Sequence, residues 1–351
     1  MSASITRLID GAIGETREAL VRDGRVIALN IVRARDEGRR ARWGELYAGR
    51  VRAVEPRLRG AFVDLGLSED IGFLPLTSRV QVSEGARITV SVVREGARAK
   101  GPVLKLESTP APEGPPHRIA RPECDEDVRD AKSADRHARM RIDEAIEEAL
   151  ARETPLAGGG KITIEPTAAL VAIDVDASAR AGTRDPERFA LDLKCVAAGE
   201  IALQLRLRNL GGLVAIDFVS MRAEASRAAL LEAVKRAFVD DSWSVQVGRI
   251  SRFGVLELAR AQLRTPVHEM LLDRSGAHST ETLAWSVLRA IEREAAAQGG
   301  RRIAARCAPE IVDWLNAAPL DWRAALDARI GARWAIEAAP LPRERFDVGA
   351  V

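Results

Sequence analysis

The sequence predicts an α/β (α+β) protein of several units, and three observations carry that prediction. Residues 45–106 break into five short apolar strands punctuated by glycine, the texture of a small barrel. Residues 169–176 and 211–218 are apolar runs of strand length, each with aspartate towards its far end. Elsewhere apolar residues recur every fourth position, as amphipathic helices require. At 351 residues the chain can hold two or three units, each with its own core.

Composition narrows the function classes. The net charge is only +2, so any polyanion must be met by local clusters rather than by a global field. No apolar run approaches a membrane span, and the N-terminus lacks the basic-then-apolar pattern of a signal peptide; a cytoplasmic protein is expected. Cys124, Cys195 and Cys307 lie far apart and form no CxxC pair, which argues against a disulfide framework and a zinc knot.

Three short strands open the chain: Ile5–Ile9, Glu18–Val21 and Val26–Val32, the last two joined by the hairpin signal Asp23-Gly24. A charged run from Arg33 to Arg42 follows. The five barrel strands are 45–54, 60–66, 72–76, 87–93 and 103–106, and they suit an OB-type barrel. Such barrels stack bases on aromatics in a basic groove. Phe62 and Phe73 are therefore candidate platforms, with core packing the equal alternative, and Lys100 is a candidate phosphate contact.

The wording of this region is specific. Leu46-Tyr47-Ala48-Gly49-Arg50-Val51, Val54-Glu55-Pro56, Ala61–Gly66 and Gly72–Leu76 closely resemble the S1 domain of the ribonuclease E/G family. In that family the S1/OB β-barrel is inserted in an RNase H-like region, whose first strands residues 1–40 resemble. The resemblance implies that Phe62, Phe73 and Lys100 contact RNA.

Residues 107–122 carry five prolines and read as a linker. Ser133 to Glu153 reads as a helix with Ile142, Ile146 and Leu150 on one face. Lys161–Glu165 and the Asp174 strand form a hairpin at Pro166-Thr167, and Asp174 and Asp176, two apart, project from one face. Asp185-Pro186 then starts a helix through Phe189, Leu193, Ala197, Ile201 and Leu205, stopped by Gly211. Arg206 and Arg208 suit that helix end on dipole grounds and equally suit phosphate. The strand Gly211–Phe218 is apolar enough to want cover on both faces and delivers Asp217. Taken singly, each aspartate reads as a strand cap. Taken together, two converging acids point to a divalent cation.

Gly160–Leu170 leading to Ile173-Asp174-Val175-Asp176, with Gln204–Gly212 and Ile216-Asp217-Phe218, strongly resembles the family's DNase I-like catalytic subdomain. The resemblance implies that Asp174 and Asp217 are catalytic and hold magnesium, or manganese in its place, with Asp176 in support. It implies an endoribonuclease hydrolysing single-stranded RNA, such as mRNA or rRNA precursors, in RNA processing or decay, and leaving a 5′-phosphate and a 3′-hydroxyl. The four histidines (His117, His137, His268, His278) lie outside this stretch, which agrees with metal-assisted hydrolysis rather than histidine base catalysis. Arg249 and Arg252, and with them Arg260, are expected backbone contacts, each with a solvated surface charge as its alternative.

The chain also departs from the family pattern. Position 176 is aspartate where asparagine is common, Ser220 replaces an aspartate, and Ser242-Trp243-Ser244 lies where arginines are usual. Between Leu106 and the catalytic hairpin there is no room for a 5′-sensor domain. Arg264–Met270 has no cysteine, so no zinc link is expected. The remainder, with a helix at 279–298, a strand at 302–307, a helix at 309–316 and a strand at 334–338, resembles the family's small C-terminal α/β domain, which implies a homodimer. The expected divisions are 1–40, the barrel 41–107, the linker 108–132, the rest of the RNase H-like region 133–160, the catalytic subdomain 161–264 and the C-terminal domain 265–351. A non-catalytic or weakly catalytic RNA-binding protein of the same fold is the alternative, favoured by Ser220 and the thinned arginines and opposed by the retained acid pair.

Overall fold

Alternating apolar residues and the Asp23-Gly24 turn start the chain as an antiparallel meander. In the computed structural model, which describes residues 5–96, 100–121, 128–133, 135–176, 186–219, 221 and 223–351, its strands are β1 (Ile5–Ala12), β2 (Glu15–Arg22) and β3 (Arg25–Arg33). Asp23 and Gly24 both take positive φ (50° and 80°), the backbone a tight two-residue hairpin needs.

The barrel follows as β4 (Leu46–Glu55), β5 (Gly60–Asp64), β6 (Ile71–Pro75), β7 (Arg87–Arg94) and β8 (Val103–Ser108). β4 pairs with β7 over residues 46–50 and with β5 over residues 50–55, the latter with an irregularity between Val51 and Ala53. β5 pairs with β6, β6 lies parallel to β8, and β8 returns to β7, which closes five strands around Tyr47, Val63, Leu74, Ile88 and Leu104. This is the OB-type barrel that the strand pattern predicts. Closure leaves its aromatic pair outside and its aliphatic residues inside.

The stretch expected to be a linker holds two strands. β9 (His117–Ala120) adds to β4, and Arg118 on it bonds the buried carboxylate of Glu45, which also accepts from the Tyr47 hydroxyl at 2.7 Å. β10 (Val128–Ser133) lies parallel to β1, giving the sheet order β10-β1-β2-β3. The barrel is thus inserted between β3 and β10 of one sheet. β10 has no apolar run to announce it, and backbone pairing leaves no trace in hydropathy.

Helix α1 (Arg136–Leu150) is shorter than the predicted helix and is capped by Asp135. It lays Ile142 and Ala145 on the first sheet, with Ile146 and Leu150 half-buried beside them. A second sheet follows: β11 (Glu153–Pro155), β12 (Lys161–Pro166), β13 (Val171–Asp176), helix α2 (Pro186–Leu207), β14 (Gly212–Asp217), helix α3 (Glu224–Ala237), β15 (Val245–Ile250) and β16 (Val255–Arg260). Its order is β11-β12-β13-β14-β16-β15, with β13 and β14 parallel. The α2 ladder Leu193, Ala197, Ile201 and Leu205 packs with Leu230 and Val234 of α3 over Ile173, Val214, Ile216 and Leu256. Cys195 and Cys307 are free thiols, and Asp185, Ser220 and Cys124 lie outside the described residues.

Two expectations need correction here. The α2 helix stops at Asn209, which takes the left-handed backbone (φ 54°) while the Leu210 amide bonds Leu205 O at 2.9 Å. Gly211 instead lies against the Ala261 carbonyl, which a Cβ would meet at 2.5 Å, and Gly212 (φ 83°) starts the strand. The strand β14 is covered on one face only. Val214 and Ile216 are buried, whereas Leu213 and Asp217 are exposed and Ala215 is partly so. Small or charged outward residues and antiparallel neighbours let such a mixed sheet face water.

The last unit has helix α4 (Val267–Leu271), helix α5 (Thr280–Ala297), β17 (Ile303–Cys307), helix α6 (Pro309–Ala317), helix α7 (Trp322–Ile330), β18 (Trp334–Ala338) and β19 (Phe346–Ala350), with sheet order β18-β17-β19. Leu283, Val287 and Ile291 of α5 are buried as their spacing predicts. Buried ion pairs from Arg33 to Glu15 and Glu281, and from Arg289 to Glu15, tie α5 to the first sheet. No helix among the described residues is long and apolar enough to cross a membrane.

Candidate metal centre and nucleic-acid interface

The parallel pairing of β13 with β14 matches Val171 with Val214, Ile173 with Ile216 and Asp174 with Asp217. The isoleucines and valines anchor the register in the core, so the two aspartates must stand side by side on the opposite, open face. Neighbouring strands lie about 4.8 Å apart, which brings two carboxylates within reach of one ion. Thr163, Glu165, Ala172, Ala215 and Val255 complete a shallow pocket around them. Asp176 stands exposed on the same face one strand repeat further on, opposite Lys161 of β12.

One oxygen of Asp217 is already engaged: its Oδ1 accepts the Val219 amide at 2.8 Å. Val219 has φ 61°, a left-handed conformation that is costly for a β-branched residue, and is 54% exposed. Its carbonyl accepts from Lys194 Nζ at 3.2 Å. Lys194 is only 6% exposed; burial lowers its pKa, and the charge of Asp217 pulls the other way. Lys194, Val219 and Asp217 thus form a chain running from α2 to the acid pair. Sequence reasoning missed Lys194, because one residue after Leu193 of the apolar ladder a cation reads as part of the helix's polar face.

A hard divalent ion fits this donor set. It would take oxygens of Asp174 and Asp217 and complete its shell with water, and among the described residues no group of three or more histidine, cysteine or acidic side chains offers a fuller cage.

The predicted arginines separate into two kinds. Arg249 and Arg252 lie at the β15–β16 hairpin, beside the acid pair, where Val255 pairs with Asp217 and the Phe218 amide bonds Gly254 O. Arg260 is not a surface contact. It is buried, bonded to both oxygens of Asp241 and to Leu210 O, and stacked 4.0 Å over Trp243. Trp243 stands where arginines were expected and serves this internal bracket. Arg208 is likewise interior, holding Gln204, Ala151 O and Thr154, with its pKa lowered to about 10 by desolvation.

On the barrel, Phe62 and Phe73 are cross-strand partners with ring centroids 5.7 Å apart, edge to face and half-buried on the outer surface. Gly60 makes the room, since a Cβ there would fall 2.1 Å from the Phe73 ring. Lys100 is exposed and lines a groove between barrel and second sheet together with Arg94, Gly212, Leu213 and Arg264. Glu95 spans that junction: its amide bonds Leu263 O at 2.9 Å, and its carboxylate accepts from the Thr265 amide at 2.8 Å. Leu213 in the groove and Asp217 in the pocket belong to the same open face, about 13 Å apart along the strand at ~3.3 Å per residue.

Comparison with known proteins gives this arrangement its relatives. The model of the Ribonuclease E/G family matches residues 118–263, which contain the whole acid-bearing sheet. Ribonuclease E of Escherichia coli (strain K12) is 36% identical over 181 residues, covering 50% of this chain and 17% of that protein. Ribonuclease E of Haemophilus influenzae is 37% identical over 169 residues, covering 46% of this chain and 18% of that protein. Ribonuclease G of Salmonella typhimurium is 28% identical over 215 residues, 59% of this chain and 44% of that protein. The matches therefore span less than half the length of each of these relatives. Over residues 118–263, this chain is therefore similar to the Ribonuclease E/G family.

Proposed function

We propose that the protein is a metal-dependent endoribonuclease that hydrolyses single-stranded RNA in RNA processing or decay. The observation that carries this reading is the register of β13 and β14, which puts Asp174 and Asp217 side by side on an open sheet face. Magnesium held there, or manganese, would supply Lewis-acid polarisation of a phosphate and a water of lowered pKa. Asp174 and Asp217 provide the anionic cradle, and Asp217 is oriented by the Val219 amide. Asp176 offers a further acceptor on the same face for a bound water. Arg249 and Arg252 hold the RNA backbone at the hairpin, while Phe62, Phe73 and Lys100 stack and grip the strand on the barrel. A cytoplasmic setting, and a homodimer through the C-terminal unit, belong to the same proposal.

The products discriminate this chemistry from its rivals. Purified protein incubated with an A/U-rich single-stranded RNA in Mg²⁺ is expected to leave 5′-phosphate and 3′-hydroxyl ends and to stop in EDTA. Ends carrying a 2′,3′-cyclic phosphate, or cleavage that survives EDTA, would overturn it. Binding without cleavage would make the chain an RNA-binding protein of this fold.

A further inference from the structure

The β15–β16 hairpin presents an aromatic ring that neither the fold nor the acid pair accounts for. Phe253 at its tip is 68% exposed, one of the most exposed large apolar side chains among the described residues. The tip holding it is well built. Ser251 Oγ accepts the amides of Phe253 (3.3 Å) and Val255 (3.2 Å), and the Ser251 amide bonds Val255 O at 2.8 Å. Gly254 turns the chain with φ 92° and gives its carbonyl to the Phe218 amide at 3.2 Å, one residue after Asp217. The hairpin therefore stands at the Asp217 end of the sheet, and Val255, two residues after Phe253, lines the acidic pocket.

One face of the ring is already occupied: the Arg252 guanidinium lies 4.7 Å from its centroid. That contact turns the ring into a plate with a cation on its back, while the 68% exposure leaves area for a flat partner. A nucleobase is such a partner, and its phosphate would find Arg252 and Arg249 alongside. A rigid tip loses little entropy on binding, which favours stacking over a flexible side chain.

We infer that Phe253, backed by Arg252, is a stacking platform for a nucleobase next to the scissile phosphate, distinct from the aromatic pair on the barrel. It thereby sets where the strand is cut relative to that base. This rests on the endoribonuclease reading above.

The test uses a short A/U single-stranded RNA with one mapped cleavage site and abasic ribonucleotides placed singly on either side of it. Phe253→Ala is expected to lower kcat/KM about tenfold or more, the range found for losing one base–aromatic stack, and Phe253→Trp to restore it. Tryptophan emission of the Phe253→Trp protein, measured against the wild type, should be quenched by the intact RNA. An abasic residue at one flanking position should cost the wild type the same factor and cost Phe253→Ala almost nothing, the coupling expected of contacting partners. Wild-type rates in Phe253→Ala, or abasic penalties that simply add at every position, would overturn the platform while leaving the nuclease reading intact. A wild-type protein that neither cuts nor binds this RNA would remove both.

Discussion

The carboxylate of Asp217 is oriented by a backbone amide, and that amide's residue is in turn gripped by a buried lysine. This explains why Val219 can keep a left-handed backbone that costs a β-branched residue roughly 1–2 kcal/mol: Lys194 and Asp217 hold it from both sides. Lys194→Met keeps the apolar stem but loses the grip on Val219. Cleavage is expected to fall about tenfold at saturating Mg²⁺, since small misplacements of a catalytic group are expensive. The melting temperature should change little, because Val219 itself is half-exposed and the methionine keeps the buried stem. An unchanged kcat would show that Lys194 only fills space. Asp174 and Asp217 were legible in the sequence because apolar strands carry them out of the core. Lys194 was not, since a single cation in an amphipathic helix reads as part of its polar face.

At the scale of elements, the aromatic pair on the barrel depends on a missing side chain. Phe73 lies over Gly60, and a methyl group there must push the ring off its place beside Phe62. Gly60→Ala should therefore weaken binding of a single-stranded oligonucleotide nearly as much as Phe73→Ala, about fivefold or more if a stack is lost. Titration of fluorescent oligouridylate checks it, and full affinity in Gly60→Ala would show that the ring does not serve binding from this position. Elements with strong local signals, such as the Asp23-Gly24 hairpin and the α2 ladder, were readable from sequence. Helix α3 was not, because alanines and charges surround its two anchoring residues, Leu230 and Val234, and blur the period. β10 was not either, since its sequence carries no apolar run and its backbone pairing with β1 leaves no mark in hydropathy.

At the scale of the molecule, the chain leaves its first sheet after β3, builds the barrel, and returns to that sheet through β10. Among the described residues, only α1 then separates β10 from the acid-bearing sheet. Cleavage rates on 5′-monophosphorylated and 5′-triphosphorylated versions of one single-stranded RNA should agree within about twofold, a difference under ~0.5 kcal/mol. A marked preference for the monophosphate would reveal a second phosphate site. This insertion was anticipated from wording shared with a known family. The open face of β14 was not, because hydropathy cannot tell an alanine that faces water from one that faces a helix. That open face leaves both the acid pair and Leu213 of the barrel groove accessible from one side of the sheet.

The most direct test of the acid pair is substitution of each member without loss of fold. Asp174→Asn and Asp217→Asn should each keep the melting temperature and the RNA affinity within a small factor, because both side chains are exposed. Each should lower Mg²⁺-dependent cleavage of the same single-stranded RNA at least a hundredfold, about 2.7 kcal/mol of transition-state stabilisation. Wild-type cleavage in either variant would contradict a metal centre built on the paired strands β13 and β14.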